Sequence, residues 1–499
     1  MSAKKVGFIL GPAIFFIMLI MPAPYGMYTE AWRVAAIALL MATWWITEAM
    51  PIAATALLPI ALYPLLQIMD TRAASASYAD PVIYLFIGGF FLAVTMERWN
   101  LHRRIALSIL KLAGDTPSKL ILGFVIATAF LSMWISNTAT AVMMMPIGIS
   151  VVSQVVGNKT GKSDADAEQE KYRTNFSKSL VLAIAYTASI GGFITIIGTP
   201  TNIIMAGFLE RAFDIRIGFA QWMMLSVPIS ITLLICMFFL LTKVLFPTGD
   251  MKLVRGKAIV EEEMKQLGPI TKAEKMVLAI GGFMALSWIF RDLIIRIDAL
   301  SMVTDTTVAM VGAMLMFLCP SFKDGQRLLD WKTAVKIPWD VVLLFGGGLT
   351  LAAGFERTGL AAWVSGNLSG LYGMHIILFV FIVVLIVNTL TEFMSNTAIA
   401  TLFIPVMSAT AIAVGFHPFS AVVATTIAST FSFMMPVATP PNAIAFGSGF
   451  LRIKDMAKTG IFLNIVAQIV CVIAIVYLLP LVWNVVLTII PPEMLIQNG

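Results

Sequence analysis

Charge is what this sequence has least of. Only 12% of its 499 residues are Asp, Glu, Lys or Arg, against roughly 25% in soluble domains, which excludes an ordinary water-facing globule. Cysteine is scarce as well: Cys236, Cys319 and Cys471 stand singly in apolar runs without CxxC spacing, so neither a disulfide framework nor a thiolate metal site is built. His102, His375 and His417 are scattered, which leaves zinc and haem without a ligand set. The net charge of +6 is not gathered into a basic face, so nucleic acid is not a partner. Gly346-Gly347-Gly348 lacks the GK[ST] ending and strand context of a phosphate loop and reads as close helix packing. No Ser/His or His/Asp/Glu constellation supports an enzyme, and no organic cofactor is implied.

What is abundant is apolar: 59% of residues are hydrophobic, the mean hydropathy is +0.92, and several runs reach the ~20 residues that cross a bilayer core. The expected fold is an all-α polytopic membrane protein of carrier size. Lys4-Lys5 followed by the run from Val6 to Met21 resembles a signal peptide, but no small-x-small cleavage site closes it, so it reads as an uncleaved first helix.

The chain repeats itself. A shift of 259 carries Ser136-Asn137-Thr138 onto Ser395-Asn396-Thr397, Phe86, Gly88 and Gly89 onto Phe345, Gly347 and Gly348, Glu97-Arg98 onto Glu356-Arg357, and Pro146 onto Pro405. After each copy comes a second shared element, Thr199-Pro200-Thr201-Asn202 and Thr439-Pro440-Pro441-Asn442, at a shift of 240.

Read in order, apolar runs and breakers predict helices at about 6–22, 32–49, 52–69 and 81–97, then an amphipathic segment ending near Gly114. Two short arms, 118–135 and 139–156, flank the first SNT. Small polar residues inside an apolar region point to a re-entrant hairpin, 118–156. A polar loop (157–178) precedes a helix at 179–213, broken at 198–202. Spans at 220–246, 276–290 and 306–319 surround a charged loop, 247–275. The second copy starts at 339–356 and supplies a hairpin, 376–414, and a helix at 420–450, broken at 438–442. A last helix covers 460–488. The organisation is N-terminal scaffold helices (1–80), repeat one (81–219), linking helices and loop (220–338), repeat two (339–450) and a C-terminal helix (451–499).

Eleven crossings and two re-entrant hairpins put the chain ends on opposite sides. With a cytoplasmic N-terminus, 26 of 33 Lys and Arg lie inside; the outer set is Arg33, Arg72, Arg211, Arg216, Arg291, Arg296 and Arg357. The two repeats are then inverted, the ground plan of many secondary transporters.

In hydrocarbon, irregular backbone persists only where protein or a water-filled cavity satisfies it. Two hairpin tips and two breaks therefore converge on a midplane site, where half-helix N-termini favour an anion. Ser132 precedes Ser136 by four residues and Thr391 precedes Ser395 by four, so each arm aligns a hydroxyl with its tip. Asn137 or Asn396, with carbonyls near Gly198 or Ala438, completes an all-oxygen cage suited to sodium. No Lys or Arg lies at a tip or break, so an anion there meets helix ends, neutral donors and bound cations. A lone SNT is packing glue between helices; two copies in register with two T-P-x-N loops make a site. Glu392, at the position of Met133, reads either as a coupling group or as an acid facing a water-filled cavity. Glu97 and Glu356 are expected to pair with Arg98 and Arg357.

These residues resemble the divalent anion–sodium symporter family, bacterial relatives of sodium/dicarboxylate and sodium/citrate carriers. The matching pieces are Ser132-x-x-x-Ser136-Asn137-Thr138, Gly198-Thr199-Pro200-Thr201-Asn202, Thr391-x-x-x-Ser395-Asn396-Thr397 and the stretch from Phe433 to Asn442. The resemblance implies a homodimer in the bacterial inner membrane, each subunit with a scaffold domain and a transport domain that moves as an elevator. It implies one sodium at Ser132, Ser136, Asn137 and Gly198 and another at Thr391, Met394, Asn396 and Ala438. Substrate carboxylates would meet Ser136, Asn137, Thr138, Ser395, Asn396 and Thr397, with Thr199, Pro200, Thr439 and Pro440 lining the pocket. Two residues depart from the family pattern: Thr201 replaces a second proline and Thr430 replaces a serine. Two opposed tips favour C4-dicarboxylates such as succinate, malate and fumarate; citrate, sulfate and tartrate fit a similar site. Sodium-independent dicarboxylate exchange, and a channel or metalloid efflux protein, are the competing readings.

Overall fold

A computed structural model describes residues 3–114, 116–156, 164–249, 256–323, 325–368, 373–492 and 494. Among these the chain is helical without a strand; one isolated bridge joins Pro320 and Arg327. Among the described residues six helices are long and apolar enough to cross a membrane, and shorter apolar helices accompany them.

The N-terminal part comprises α1 (Ala3–Ile20), α2 (Thr29–Thr47), α3 (Ile52–Thr55), α4 (Leu58–Leu65) and α5 (Thr71–Ala76). The single third helix expected at 52–69 is thus two short ones, because Pro59 and Pro64 remove backbone donors where one span would continue. Next comes α6 (Pro81–Arg98), started by Asp80, whose carboxylate accepts the Val82 N–H at 3.0 Å, and by Pro81. The amphipathic α7 (Leu101–Lys111) leads to α8 (Pro117–Ser132) and α9 (Asn137–Val156), the two arms of the first hairpin.

The first broken pair is α10 (Asp164–Phe193) and α11 (Pro200–Phe213). Part of the expected polar loop 157–178 is therefore helix, and residues 157–163 lie outside the described residues. Polar helix carries no apolar stripe, so the pattern could not mark it. α12 (Phe219–Phe239) ends in a π-helical turn, Leu240–Leu245. The charged stretch 247–275 likewise contains a helix, α13 (Gly256–Leu267), before α14 (Lys272–Ile289), α15 (Arg291–Ile294), α16 (Asp305–Leu318) and α17 (Trp331–Ala334). Repeat two supplies α18 (Trp339–Arg357), α19 (Leu360–Leu368), the hairpin arms α20 (Ile376–Thr391) and α21 (Asn396–Val414), and the broken pair α22 (Phe419–Thr430) and α23 (Pro440–Gly447). α24 (Ile453–Ile473) widens into a π-helical turn, Ala474–Leu478, before α25 (Leu479–Trp483).

Two apolar cores organise these elements. One gathers α1, α2 and the short helices after them around Leu344, Leu351 and Phe355 of α18; the other runs through the hairpins, broken pairs and remaining spans. The α18 glycines work by close packing: a side chain at Gly346, Gly347 or Gly348 would collide with Tyr78, Ala56 or Thr401 respectively. Phe86 and Phe345, related by the shift of 259, pack on each other with ring centroids 5.2 Å apart. The expected Glu97–Arg98 pairing is not formed. Arg98 reaches Asp330 at 2.7 Å, since neighbouring residues on a helix do not face each other, and among the described residues no ion pair joins Glu356 to Arg357 either.

Candidate functional site

Each SNT starts a helix. The turns 133–136 and 392–395 close the hairpins, and Asn137 and Asn396 open α9 and α21. At the first tip the buried Ser132 hydroxyl lies 2.9 Å from Asn137 Oδ1 and 2.6 Å from the Ala188 carbonyl of α10. At the second, the Thr391 hydroxyl lies 2.6 Å from Asn396 Oδ1 and 3.0 Å from the Ser429 carbonyl of α22. The two tips repeat one arrangement: a hydroxyl four residues before the SNT serine, facing the SNT asparagine and a carbonyl near the end of the first broken half-helix.

A hydroxyl has one proton to give and here faces two acceptors. At the first tip one proton serves two acceptors, and at the second Ser432 brings a further hydroxyl; both are clusters of neutral oxygens, the ligand type that suits a small hard cation. Gly192 and Gly198 shape the first seat. A Cβ on Gly192 would stand 2.9 Å from Asn137 Cγ and 3.0 Å from the Gly198 carbonyl oxygen, so the space beside these groups exists only because Gly192 has no side chain. At the second tip Ser432 Oγ adds a bond to Asn396 Oδ1 at 3.1 Å, and Asn396 Nδ2 donates to the Thr430 carbonyl at 3.1 Å. Met394 lies in the second turn and Ala438 is buried in the second break. Gly198 N–H donates to the Thr195 carbonyl at 3.3 Å, and Ala438 N–H to the Met435 carbonyl at 3.2 Å, so both expected break positions are held by the same local turn.

The T-P-x-N asparagines tie each break together. Asn202 Nδ2 donates to the carbonyls of Phe193 (3.1 Å) and Thr195 (2.8 Å), and Asn442 Nδ2 to those of Ser432 and Met435 (both 3.1 Å). Thr439 Oγ1 accepts the Asn442 N–H at 3.3 Å. Proline starts each following half-helix, where its missing N–H has no partner to lose. Ser136, Thr138 and Pro440 are exposed, Asn137, Pro200, Ser395, Asn396 and Thr397 half-buried, and Thr199 and Thr439 buried. No Lys or Arg takes part in these bonds.

One polar contact between the two halves joins a pair of threonines. Thr201 Oγ1 and Thr430 Oγ1 lie 2.6 Å apart, joining the first break to the last turn of α22. Thr430 also reaches the second tip, since its carbonyl accepts the Asn396 amide.

Glu392, expected as a coupling group or as an acid facing a water-filled cavity, is 2% exposed and also serves the fold. Its carboxylate accepts the N–H groups of Phe433 (2.7 Å), Met434 (3.0 Å) and Met435 (3.2 Å) and the Asn464 amide (2.6 Å). It neutralises the dangling donors of the second break and ties that break to α20 and α24. At the equivalent position in the first hairpin, the Met133 carbonyl accepts from Thr195 Oγ1 at 2.6 Å. One joint is made twice with different chemistry. Sequence reasoning did not single out Asn464; a polar side chain in the last apolar helix was its only signal.

Comparison with known proteins bears on the family and the fold. The model of the sodium:sulfate symporter transmembrane region matches residues 2–489. The sodium-dependent dicarboxylate transporter SdcS of Staphylococcus aureus strain bovine RF122 is 41% identical over 487 residues, covering 97% of this chain and 93% of SdcS, and SdcS of strain USA300 is 40% identical over the same span. Two solved transporters share the fold at 10% identity: Neisseria gonorrhoeae MtrF (TM-score 0.55, covering 95% of this chain and 93% of MtrF) and Alcanivorax borkumensis YdaH (TM-score 0.56, covering 90% and 98%). That likeness concerns the fold alone. The chain belongs to the sodium:sulfate symporter family, the divalent anion–sodium symporters, and is an integral membrane transporter rather than an enzyme.

Proposed function

We propose that this chain is a sodium-coupled symporter of C4-dicarboxylates such as succinate, malate and fumarate. The observation that carries the reading is the all-oxygen cluster repeated at the two tips, Ser132 with Asn137 and the Ala188 carbonyl, and Thr391 with Asn396, Ser432 and the Ser429 carbonyl. Sodium at each completes the set, with Ser136 and Gly198 on one side and Met394 and Ala438 on the other. The bound charge and the N-terminal ends of α9, α11, α21 and α23 then favour a dianion at Ser136, Asn137, Thr138, Ser395, Asn396 and Thr397, lined by Thr199, Pro200, Thr439 and Pro440. The relatives' name, sodium-dependent dicarboxylate transporter, supports the same cargo.

Transport follows an elevator movement of the hairpins and broken pairs against a scaffold. The apolar core shared by residues 1–80, α18 and the start of α21 supports a scaffold that the second hairpin abuts, and the paired motifs at shifts of 259 and 240 support a repeat, inverted by the charge distribution, between 81–219 and 339–450. The protein works as a homodimer in the bacterial inner membrane, N-terminus cytoplasmic and C-terminus outside. Two sodium ions per dianion move no net charge. A third moves one, worth about 2.3 kcal/mol per 100 mV, or roughly 40-fold in accumulation.

The test is uptake of labelled succinate into proteoliposomes with and without an inward sodium gradient, across a panel that includes citrate, sulfate and tartrate. Concentrative, saturable, sodium-dependent succinate uptake is expected. Uptake indifferent to sodium would replace symport with exchange, and flux linear in substrate would indicate a channel.

A further inference from the structure

The two hairpins differ in how each meets the helix that follows its broken pair. A shift of 259 carries α8, Pro117–Ser132, onto α20, Ile376–Thr391. α12 and α24 correspond too: both have 21 residues, a shift of 234 carries Phe219–Phe239 onto Ile453–Ile473, and each continues into a π-helical turn.

Between α20 and α24 the joint is a polar ladder. Gln468 Nε2 donates to Asn388 Oδ1 at 2.8 Å and Asn464 Nδ2 to Glu392 Oε1 at 2.6 Å. Asn388 in turn donates to the carbonyls of Ala428 and Phe431, so the ladder also satisfies the end of α22. At the equivalent positions α8 carries Ala129 and Met133, while α12 carries Leu234 and Ser230. Ser230 turns to the Ile190 carbonyl at 3.3 Å. Ala129, Met133 and Leu234, with Ile126, Phe130 and Ile235, instead face a cleft of 480 Å³ whose lining is apolar throughout.

Water has no hold there, because a buried water needs two to four polar partners. Leaving the cleft empty strips its walls of dispersion contacts. Ile126, Phe130 and Ile235 are 50%, 41% and 51% exposed, so the cleft is continuous with the flank of the Phe219–Leu245 span, where the surrounding medium is hydrocarbon. Its volume is within the ~300–1,000 Å³ of small-ligand pockets.

We propose that a phospholipid acyl chain seats in the cleft between α8 and α12, filling the place that the α20–α24 ladder closes in the other repeat. The chain bears on Met133, which follows Ser132 and whose carbonyl receives Thr195 Oγ1. The lipid therefore supports the first tip, a consequence that rests on the sodium reading of Ser132, whereas the seat itself does not.

The experiment uses the full chain in vesicles doped with a phospholipid carrying a diazirine on its acyl chain, followed by illumination and mapping of adducts by mass spectrometry. Adducts on 122–133 and 231–239 are expected at several times the level on the exposed outer residues of α1, Phe8, Ile9 and Phe16. Leu234→Trp, which fills the cleft, and Ile235→Trp, which blocks its mouth, should each reduce those adducts at least threefold while α1 labelling stays constant. Labelling no higher in the cleft than on α1 would reduce the occupant to ordinary surrounding lipid and overturn the proposal. Persistence of the adducts in both variants would do the same. In a variant that keeps its α1 labelling but loses cleft adducts, the sodium half-saturation of succinate uptake should shift about threefold or more; an unmoved curve would overturn the link to the tip.

Discussion

Gly192→Ala tests the first cation seat with a single added methyl group. Gly192 lies in the last turn of α10, in backbone any residue adopts, so alanine should not strain the helix; the same change stabilises an unobstructed helix position by roughly 0.5–1 kcal/mol. Here, however, the new Cβ would stand 2.9 Å from Asn137 Cγ, nearer still to its Oδ1, and 3.0 Å from the Gly198 carbonyl oxygen, against ordinary contacts of 3.4–4 Å. Asn137 Oδ1 must retreat by more than about 1 Å and the Gly198 oxygen by about 0.4 Å, against the ~0.5 Å within which a preorganised site tolerates displacement. A ligand misplaced by about 1 Å costs up to ~100-fold. The sodium concentration for half-maximal succinate uptake should rise roughly 10- to 100-fold, equivalent to about 1.4–2.8 kcal/mol. Expression and melting temperature should stay near those of the parent protein. Gly282→Ala is the control, since a methyl group there meets nothing within 4 Å; its sodium curve should be unchanged. A sodium curve for Gly192→Ala that overlays the parent's would refute the reasoning, because the methyl group cannot be added without moving Asn137 or Gly198.

Glu392→Gln replaces two of the carboxylate's acceptor sites with an N–H₂ that faces backbone donors. Hydrogen bonds to charged groups contribute ~1.5–3 kcal/mol, so lower thermal stability and a weaker sodium response are expected; intact stability and uptake would remove the joint from the account. Thr201→Val and Thr430→Val, singly and together, form a double-mutant cycle in which the 2.6 Å hydroxyl contact should give a coupling of ~0.5–1.5 kcal/mol by chemical unfolding, and additive effects would mean the two halves do not meet there. On the loop side, Arg104 binds Glu274 at 2.6 Å and the Gly268 carbonyl at 3.0 Å, both side chains being largely buried. Burial pushes the Glu274 carboxyl up, but hydrogen bonds from Arg104 and Thr271 outweigh it and hold the group below its ordinary value of 4.5. A depressed carboxyl stabilises the fold above its unfolded value and loses that contribution as pH falls through the folded one. Arg104→Ala should therefore cost about 3–5 kcal/mol at neutral pH and flatten the loss of stability below pH 4.5; equal acid sensitivity in both proteins would contradict the pairing.

Where breakers stand inside apolar runs, the elements were legible from the residues alone. Pro200 and Pro440 mark the half-helices, and the SNT triplets fall at the hairpin turns, because proline and small polar side chains change the backbone wherever they occur. Features that depend on distant partners were hidden. The second break begins at Phe431, well before the expected 438, because Pro436 cannot continue the helix and clashes with the carbonyl four residues earlier; Glu392, from α20, and Asn442 then satisfy the opened backbone. The start of α10 was hidden because a polar helix lacks an apolar stripe, and α13 because its short stripe, Val260, Met264 and Leu267, lies inside a charged stretch. At the site, the spacing of Ser132 to Ser136 and Thr391 to Ser395 anticipated both hydroxyl–asparagine contacts, since four residues is a helical repeat. The Thr201–Thr430 contact was not visible, because two isolated departures become a pair only when the halves are folded together.

The central claim is that two cation seats accompany one dianion. Its most direct test is a paired flux measurement in proteoliposomes, with labelled sodium and labelled succinate counted in the same vesicles. At least two sodium ions should enter per succinate. A ratio of one or zero would contradict the account, whichever residues surround the tips.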